Sequence, residues 1–270
     1  MKKLTIVTLT YNQLERATKP YIESLYKYTN IEDFDLILVD NNSTDGTVEY
    51  LKELQTKYNN ITLIFNDKNL GYDIGNNQGL KLIDTTGDIK NKFIGLFNND
   101  LLFTPNWLEP CLKVFENDPK IGLASPRLPR KCKFDATNYL EHYEKFLEKY
   151  YKKFGEFSLN IITYFCAALI PVEVFKKVGF LDENFSPAFY EDDDYAIRTY
   201  YQGYKVGYIN TSFVYHNHAT TSKHLPEKDA LMERNRKYFF EKHPIAEYIW
   251  KNRRTSVFKD MVKYIKDSFY

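Results

Sequence analysis

Cysteine is scarce in this chain. Cys111, Cys132 and Cys166 are the 3 in 270 residues, an odd number with no C-x-x-C pair and no histidine at metal spacing beside them. That count disfavours a disulfide scaffold and a structural zinc site, and fits reduced thiols in a cytosol. An excess of one charge is missing too: 37 Lys and Arg stand against 36 Asp and Glu, a formal +1. A nucleic-acid binder normally carries a strongly basic domain, and a disordered chain combines few apolar residues with large net charge; a chain that is 43% hydrophobic fits neither. Long apolar runs are also absent. The longest uncharged stretch, Phe157 to Val172, contains Asn160, Thr163 and Pro171 and falls short of the roughly 20 apolar residues of a membrane span. The N-terminus begins like a signal peptide, but Asn12, Glu15 and Arg16 interrupt it too early.

Familiar phosphate and metal motifs are missing as well. No G-x-G-x-x-G follows the first strand and no G-K-[ST] occurs, while Gly71, Gly75 and Gly79 recur every fourth residue, the wrong rhythm for either. The segment from Asn41 to Gly46 starts like a calcium loop, but the twelfth position holds Lys52 where an EF-hand needs Glu.

What the chain has is alternation. Leu4 to Thr10, Asp35 to Val39, Ile61 to Phe65 and Phe93 to Phe97 read as buried strands. Helical spacing separates them, in Leu14 to Leu25, in Val48 to Tyr58 after a cap at Ser43 or Thr44, through Leu80 and Ile83, and in Trp107 to Phe115. That order predicts an α/β fold with a parallel, doubly wound sheet. Beyond Ser125 the regularity breaks. Tyr139 to Phe154 reads as a helix, Pro171 as the first residue of a short helix, Glu191 to Tyr201 as a helix, Lys205 to Ile209 as a strand, and the chain from Lys228 as mostly helical.

Ligands of an open parallel sheet bind outside the carboxyl ends of its strands. Those ends read Thr8-Leu9-Thr10-Tyr11-Asn12, Asp40 to Gly46, Asn66 to Asn69 and Asn98-Asn99-Asp100, all rich in Asn and Asp. One such end makes a turn; together they predict a ligand site. Asp100 suits a hard divalent cation such as Mg²⁺ or Mn²⁺, with a simple turn toward Pro105 as the equal alternative. Glu191 to Asp194 places successive carboxylates at a helix start, where they also favour the helix dipole and where Asp194 can pair with Arg198.

These residues together resemble the family 2 glycosyltransferases, whose nucleotide-sugar-binding fold is called GT-A. The resemblance covers roughly residues 4 to 222. Ile6 to Asn12 is similar to the family's opening strand, Val39 to Thr47 to its V-D-[DN]-x-S-x-D-G-[ST] segment, and Asn69 to Gly79 to its N-x-G…G-x-N-x-G segment. Asn98-Asn99-Asp100 takes the D-x-D position, Val178 to Glu183 with Glu191 to Asp194 resembles the acceptor-side G-[GF]-[FL]-D-E…E-D-x-D pattern, and His216 with Ser222 resembles the later H-x…S segment. Two positions depart: Asn98 replaces the first Asp of D-x-D, and Ala219 and Thr220 stand where relatives often have glycine.

The resemblance implies a Rossmann-like, mostly parallel sheet flanked by helices, a nucleotide-sugar half over about 1–125, an irregular acceptor half over about 126–227 and a helical C-terminal extension over 228–270. It implies donor nucleotide contacts from Thr8, Tyr11, Asn12, Asp40, Asn42, Asn69, Gly71, Asn76 and Asn99, with Tyr11 stacking on the base and Asp40 bonding a pyrimidine edge. Asp100 and His216 would serve a Mn²⁺ or Mg²⁺ ion, Asp192 would be the general base, and Glu191 and Asp194 would support the acceptor side. The activity implied is inverting transfer of a sugar from a UDP- or dTDP-linked donor, rhamnose among the candidates, to a glycan or lipid-linked acceptor in surface polysaccharide synthesis. A sugar-nucleotide pyrophosphorylase and a non-catalytic binding module are the competing readings. Cys132 to Asn160 is expected either to flank the acceptor or to pack as a charged helix. Residues 228–270 hold 11 Lys and Arg against 6 Asp and Glu, and the stripe Val257, Phe258, Met261, Val262, Ile265 either docks on the domain or lies on a membrane surface. The expected location is cytoplasmic, with peripheral contact at the inner membrane face under the second of those readings.

Overall fold

The computed structural model describes residues 2–85, 91–128, 135–160, 165–217 and 227–246. The chain forms two compact units, residues 1–221 and 222–270, and the sheet belongs to the first. Leu4–Thr10 (β1), Phe34–Asp40 (β2), Ile61–Phe65 (β3) and Phe93–Asn98 (β4) pair in the order β3-β2-β1-β4, all parallel. Lys19–Tyr28 (α1), Thr47–Lys57 (α2) and Tyr72–Thr85 (α3) connect them.

Both faces of these strands are covered, which is why they read as unbroken apolar runs. Because side chains alternate across a strand, Leu36 and Leu38 join Tyr21, Leu25 and Leu51 of α1 and α2 on one face, while Ile37 and Val39 join Leu80 and Ile83 of α3 on the other. The four-residue glycine spacing finds its use here. A Cβ on Gly79 would stand 2.5 Å from Val7 Cγ1, and one on Gly75 would collide with Leu9, so these two glycines let α3 lie close on β1. The cap of α2 differs from expectation. Gly46, at φ 93°, precedes Thr47, and Asp45 Oδ1 accepts from the Thr47 N–H, because Ser43 is already engaged with Asp40 and Asn12.

Leu101–Phe103 (β5), Ile121–Arg127 (β6), Phe157–Leu159 (β7), Ala167–Pro171 (β8) and Lys205–His216 (β9) complete the sheet. β8 enters antiparallel between β4 and β6, β6 runs parallel to β9, and β5 and β7 pair antiparallel with β9. The parallel pattern therefore covers the first four strands, and the rest of the sheet is mixed. β9 extends to His216, well past the expected end at Ile209, because its polar residues find partners: Asn210 Nδ2 donates to Gly155 O at 2.9 Å and Ser212 Oγ to Trp107 O at 2.6 Å. Leu108–Asn117 (α4), Tyr139–Phe154 (α5), Val172–Val178 (α6) and Glu191–Tyr201 (α7) flank it. Pro171 closes β8 and stands just before α6, one residue earlier than expected.

Three of the four tyrosines of α5 pack on the body, and Tyr151 is exposed. Tyr139 stacks on Tyr215 at 5.5 Å and Tyr143 meets Phe213 at 6.0 Å, while the Arg127 guanidinium lies 4.3 Å from the Tyr150 ring. The second unit contains the helix Lys228–Lys242 (α8), carrying a Glu233–Arg236 ion pair at 2.7 Å. Among the described residues, no helix is long and apolar enough to cross a membrane. Cys132, Ala219, Thr220, Ser222 and the apolar stripe at 257–265 lie outside the described residues.

Candidate active site

The carboxyl ends of β1, β2 and β3 are tied together by their own polar side chains. Asp40 is 1% exposed, and its carboxylate accepts from Ser43 N at 2.8 Å, Ser43 Oγ at 2.6 Å and Thr10 Oγ1 at 2.8 Å. A carboxylate has about four lone-pair sites, so Asp40 keeps roughly one after shaping its loop. Asn12 spans the gap between strands: its N–H donates to Ser43 Oγ and its Oδ1 accepts from Thr44 N, at 2.7 and 2.8 Å. Asn12, Gln13 and Asn42 hold φ of 53°, 63° and 67°, the left-handed region that Asn tolerates best among non-glycine residues. Beneath them, Asn41 Nδ2 donates to Asn69 Oδ1 and Gly71 O, Asn66 Nδ2 donates to Asn41 Oδ1, and Asn66 and Gln78 exchange two bonds of 2.8 Å. Gly71, at φ 83°, leaves no room for a side chain, since a Cβ would stand 2.6 Å from Pro187 Cα.

Three residues expected to contact the donor, Thr8, Asp40 and Asn76, are buried. The Thr8 hydroxyl lies 2.7 Å from Tyr21 Oη of α1, while Thr10, equally buried on the same face of β1, is the threonine beside Asp40. Asn76 is 1% exposed and returns its amide to Tyr72 O within α3. Asn69 accepts from Gly71 N at 2.9 Å, Asn99 donates to Thr18 Oγ1 at 3.0 Å, and Tyr11 is half-buried at the end of β1.

The β4–β5 turn carries Asp100, and β9 returns beside β5 with Leu101 opposite His216, which brings residues far apart in sequence together. His216 Nε2 lies 2.9 Å from Asp100 Oδ1, and Asn217 N donates to Asp100 O. Burial alone would lower the His216 pKa, but its bonds to Asp100 and Cys166 and the nearby charges outweigh burial and raise it to about 10. The donor set suits a hard to borderline divalent cation, one carboxylate oxygen and one imidazole nitrogen. The spacing fits as well: adjacent ligands of an octahedral ion with bonds of about 2.0–2.1 Å lie about 2.9 Å apart. Among the described residues, no group of three or more His, Cys, Asp or Glu converges on one point, so diphosphate oxygens and water would fill the remaining positions.

Behind this pair, α7 begins with Glu191 to Asp194. Asp194 is fully buried and paired with Arg198 at 2.7 Å, whose other nitrogens donate to Val178 O and Phe180 O. Asp192 Oδ1 accepts from Asp193 N. Against this helix start stands Asp73 of α3, fully buried and with both carboxylate oxygens lacking a hydrogen-bond partner; Glu191 Oε2 lacks one too. Burial first, then the charges of Asp182, Asp194 and Asp192, push the Asp73 pKa up to about 8. Burial and the Asp192 charge do the same to Asp193, and hold Glu191 well above the usual carboxylate range. The interface is built by Asn77, which bonds Leu181 N and O, and by Tyr72 N, which donates to Pro187 O. Tyr72 is half-buried, its hydroxyl donates to Phe165 O at 3.4 Å, and the nearby Glu191, Cys166, Asp192 and Asp73 add to burial in raising its pKa.

Asp73 and Cys166 are the neighbours sequence reasoning passed over. For Asp73 a signal existed: it shares the buried stripe of α3 with Asn76, Asn77 and Leu80, at helical spacing. Cys166 meets His216 only through the antiparallel entry of β8, which no local pattern encodes.

The model of Glycosyl transferase family 2 matches residues 5–179. An uncharacterized glycosyltransferase of Methanocaldococcus jannaschii is 26% identical over 255 residues, covering 93% of this chain and 80% of that protein. Among solved structures, the mannosyltransferase of Pyrobaculum calidifontis in complex with GDP-Man and Mn²⁺ superposes with a TM-score of 0.61 at 13% identity, covering 98% of this chain and 84% of that one. GalNAc-T7 with UDP, GalNAc and Mn²⁺ superposes with a TM-score of 0.60 at 16% identity, covering 90% of this chain and 51% of that one. The fold is of the GT-A type that these structures share.

Proposed function

Since this chain belongs to glycosyl transferase family 2, we propose that it is an inverting, metal-dependent enzyme moving a sugar from a nucleoside diphosphate to a hydroxyl of a glycan or lipid-linked acceptor. One observation carries the reading. The Asp100–His216 pair stands at the turn that follows β4, at the carboxyl edge of the same parallel sheet whose β2 ends in Asp40.

Each part has work in that reaction. Tyr11, Asn12, Asn42, Asn69, Gly71 and Asn99 surround the donor nucleotide, with Thr10 replacing Thr8 beside Asp40. The remaining lone pair of Asp40 is offered to a pyrimidine edge, which favours a UDP- or dTDP-linked donor. Asp100 and His216 hold the divalent cation, Mn²⁺ or Mg²⁺, whose contribution when bound is Lewis-acid stabilisation of the leaving diphosphate. Asp192 takes the acceptor proton on the far side of the anomeric carbon, and attack from that side inverts it. Asp194, paired with Arg198, anchors the helix start that carries Asp192 and Glu191. Assembly of a surface polysaccharide, with rhamnosyl transfer as the leading instance, is the role proposed for the product.

The test separates binding from chemistry. Asp192→Asn is expected to lower transfer by 10²–10⁴-fold, the usual contribution of general acid–base catalysis, while nucleotide binding measured by calorimetry stays within about threefold. Unchanged turnover in that variant would remove Asp192 from the reaction.

A further inference from the structure

His216 is held at both ring nitrogens, and the second contact has no part in the reading above. Its Nε2 faces Asp100 at 2.9 Å, and its Nδ1 lies 3.6 Å from Cys166 Sγ on the opposite side of the ring. Cys166 is itself fixed: its carbonyl accepts from Asn98 N at 2.9 Å, which ties it to the strand end that runs on into Asp100. Its neighbour Phe165 is buried with its ring 5.4 Å from that of Tyr195 on α7. The thiol therefore stands on a rigid seam between the β4 end and the acid helix.

We propose that Cys166 is the positioning residue for His216, holding Nδ1 so that Nε2 alone is presented, beside Asp100, to the divalent cation. The proposal rests on Asp100 and His216 being the cation's protein ligands. A metal-ligating imidazole usually donates its second N–H to a carboxylate, carbonyl or water, which sets both tautomer and ring angle. Here a thiol takes that place. Sulfur accepts the Nδ1–H weakly and brings no charge, so the ring is oriented without a further anion beside Asp100. No disulfide competes with this use among the described cysteines: Cys111 and Cys166 are both free, and the Cys111 thiol lies 3.2 Å from Trp107 O.

The test reads Mn²⁺ binding on the full chain, by electron paramagnetic resonance of the free ion, with no donor or acceptor present. Cys166→Ala is expected to weaken Mn²⁺ binding about tenfold, the lower end of the range for outer contacts of metal ligands, and Cys166→Ser, which can still accept from Nδ1, to stay within about threefold of wild type. Circular dichroism and thermal melting confirm that both variants fold. Wild-type Mn²⁺ affinity in Cys166→Ala would overturn the proposal. So would lost turnover with intact Mn²⁺ binding, because the thiol would then be acting on substrate. Asp100→Asn and His216→Ala, measured alongside, distinguish the two failures: if they too bind Mn²⁺ like wild type, the metal assignment itself is wrong.

Discussion

The two sides of the site handle buried polarity in opposite ways. On the donor side, the ends of β1, β2 and β3 satisfy one another, with Asp40 accepting three bonds and Asn41, Asn66, Asn69 and Gln78 closing an amide network. On the acceptor side, Asp73 is buried with neither oxygen bonded, and Glu191 has one oxygen in the same state. A closed network holds loops in one shape and lowers the ordering cost of binding. A carboxyl buried without partners costs stability and keeps its proton to higher pH. Under the proposed function the first side binds and the second exchanges a proton, and substitutions should separate them.

The largest structural effect is expected where the acid side has its one strong pairing. Arg198→Met removes the ion-pair partner 2.7 Å from the fully buried Asp194 and strips Val178 O and Phe180 O of their donor, and should destabilise by about 3–5 kcal/mol in chemical denaturation. A loss under 1 kcal/mol would mean that Asp194 is not held as an anion.

Asp73→Asn should act in the opposite sense. The folded-state pKa lies at about 8, against an ordinary value of 3.8, so the folded chain binds more protons than the unfolded one between those limits. Stability contributed by the protonated carboxyl is therefore present at low pH and lost as pH rises toward 8. The variant cannot ionise there, so its melting temperature should exceed that of wild type by several degrees at pH 8, with the gap shrinking as pH falls and closing near pH 4. An unchanged pH slope would contradict a buried, proton-binding Asp73.

The smallest effect belongs to the satisfied side. Ser43→Ala removes the hydroxyl shared by Asp40 and the Asn12 N–H, and should cost about 1 kcal/mol, or about 2–4 °C in melting temperature, with weaker nucleotide binding. A gain in stability from Ser43→Ala would erase the contrast between the two sides.

How much of this was legible follows the same physics. β1 at Leu4–Thr10 and α7 at Glu191–Tyr201 were readable to the residue, one as a run buried on both faces and the other from the acids at its first turn. The Asp194–Arg198 pair followed from helical spacing. What escaped depends on non-local partners. The far half of β9 looks polar until Trp107 and Gly155 supply its bonds, and β5 and β7 are too short, at 3 residues each, to show a period. Alternation in β1 told that Thr8 and Thr10 share a face, opposite Leu9, but hydroxyls on one face still diverge to Tyr21 and to Asp40, and that choice lies in α1 and β2. Three of the asparagines at the strand ends, Asn41, Asn66 and Asn69, bond one another, a pairing between strands that no local pattern encodes.

The central claim is that this pair of regions performs metal-assisted sugar transfer. Its most direct test is nucleoside diphosphate release by the full chain from a panel of UDP-, dTDP- and GDP-sugars, with Mn²⁺ and then with excess chelator. Release from a UDP- or dTDP-linked donor that stops in chelator and returns with Mn²⁺ or Mg²⁺ is the predicted result. Undiminished release in chelator would contradict the role given to Asp100 and His216, and no release from any donor would contradict the account as a whole.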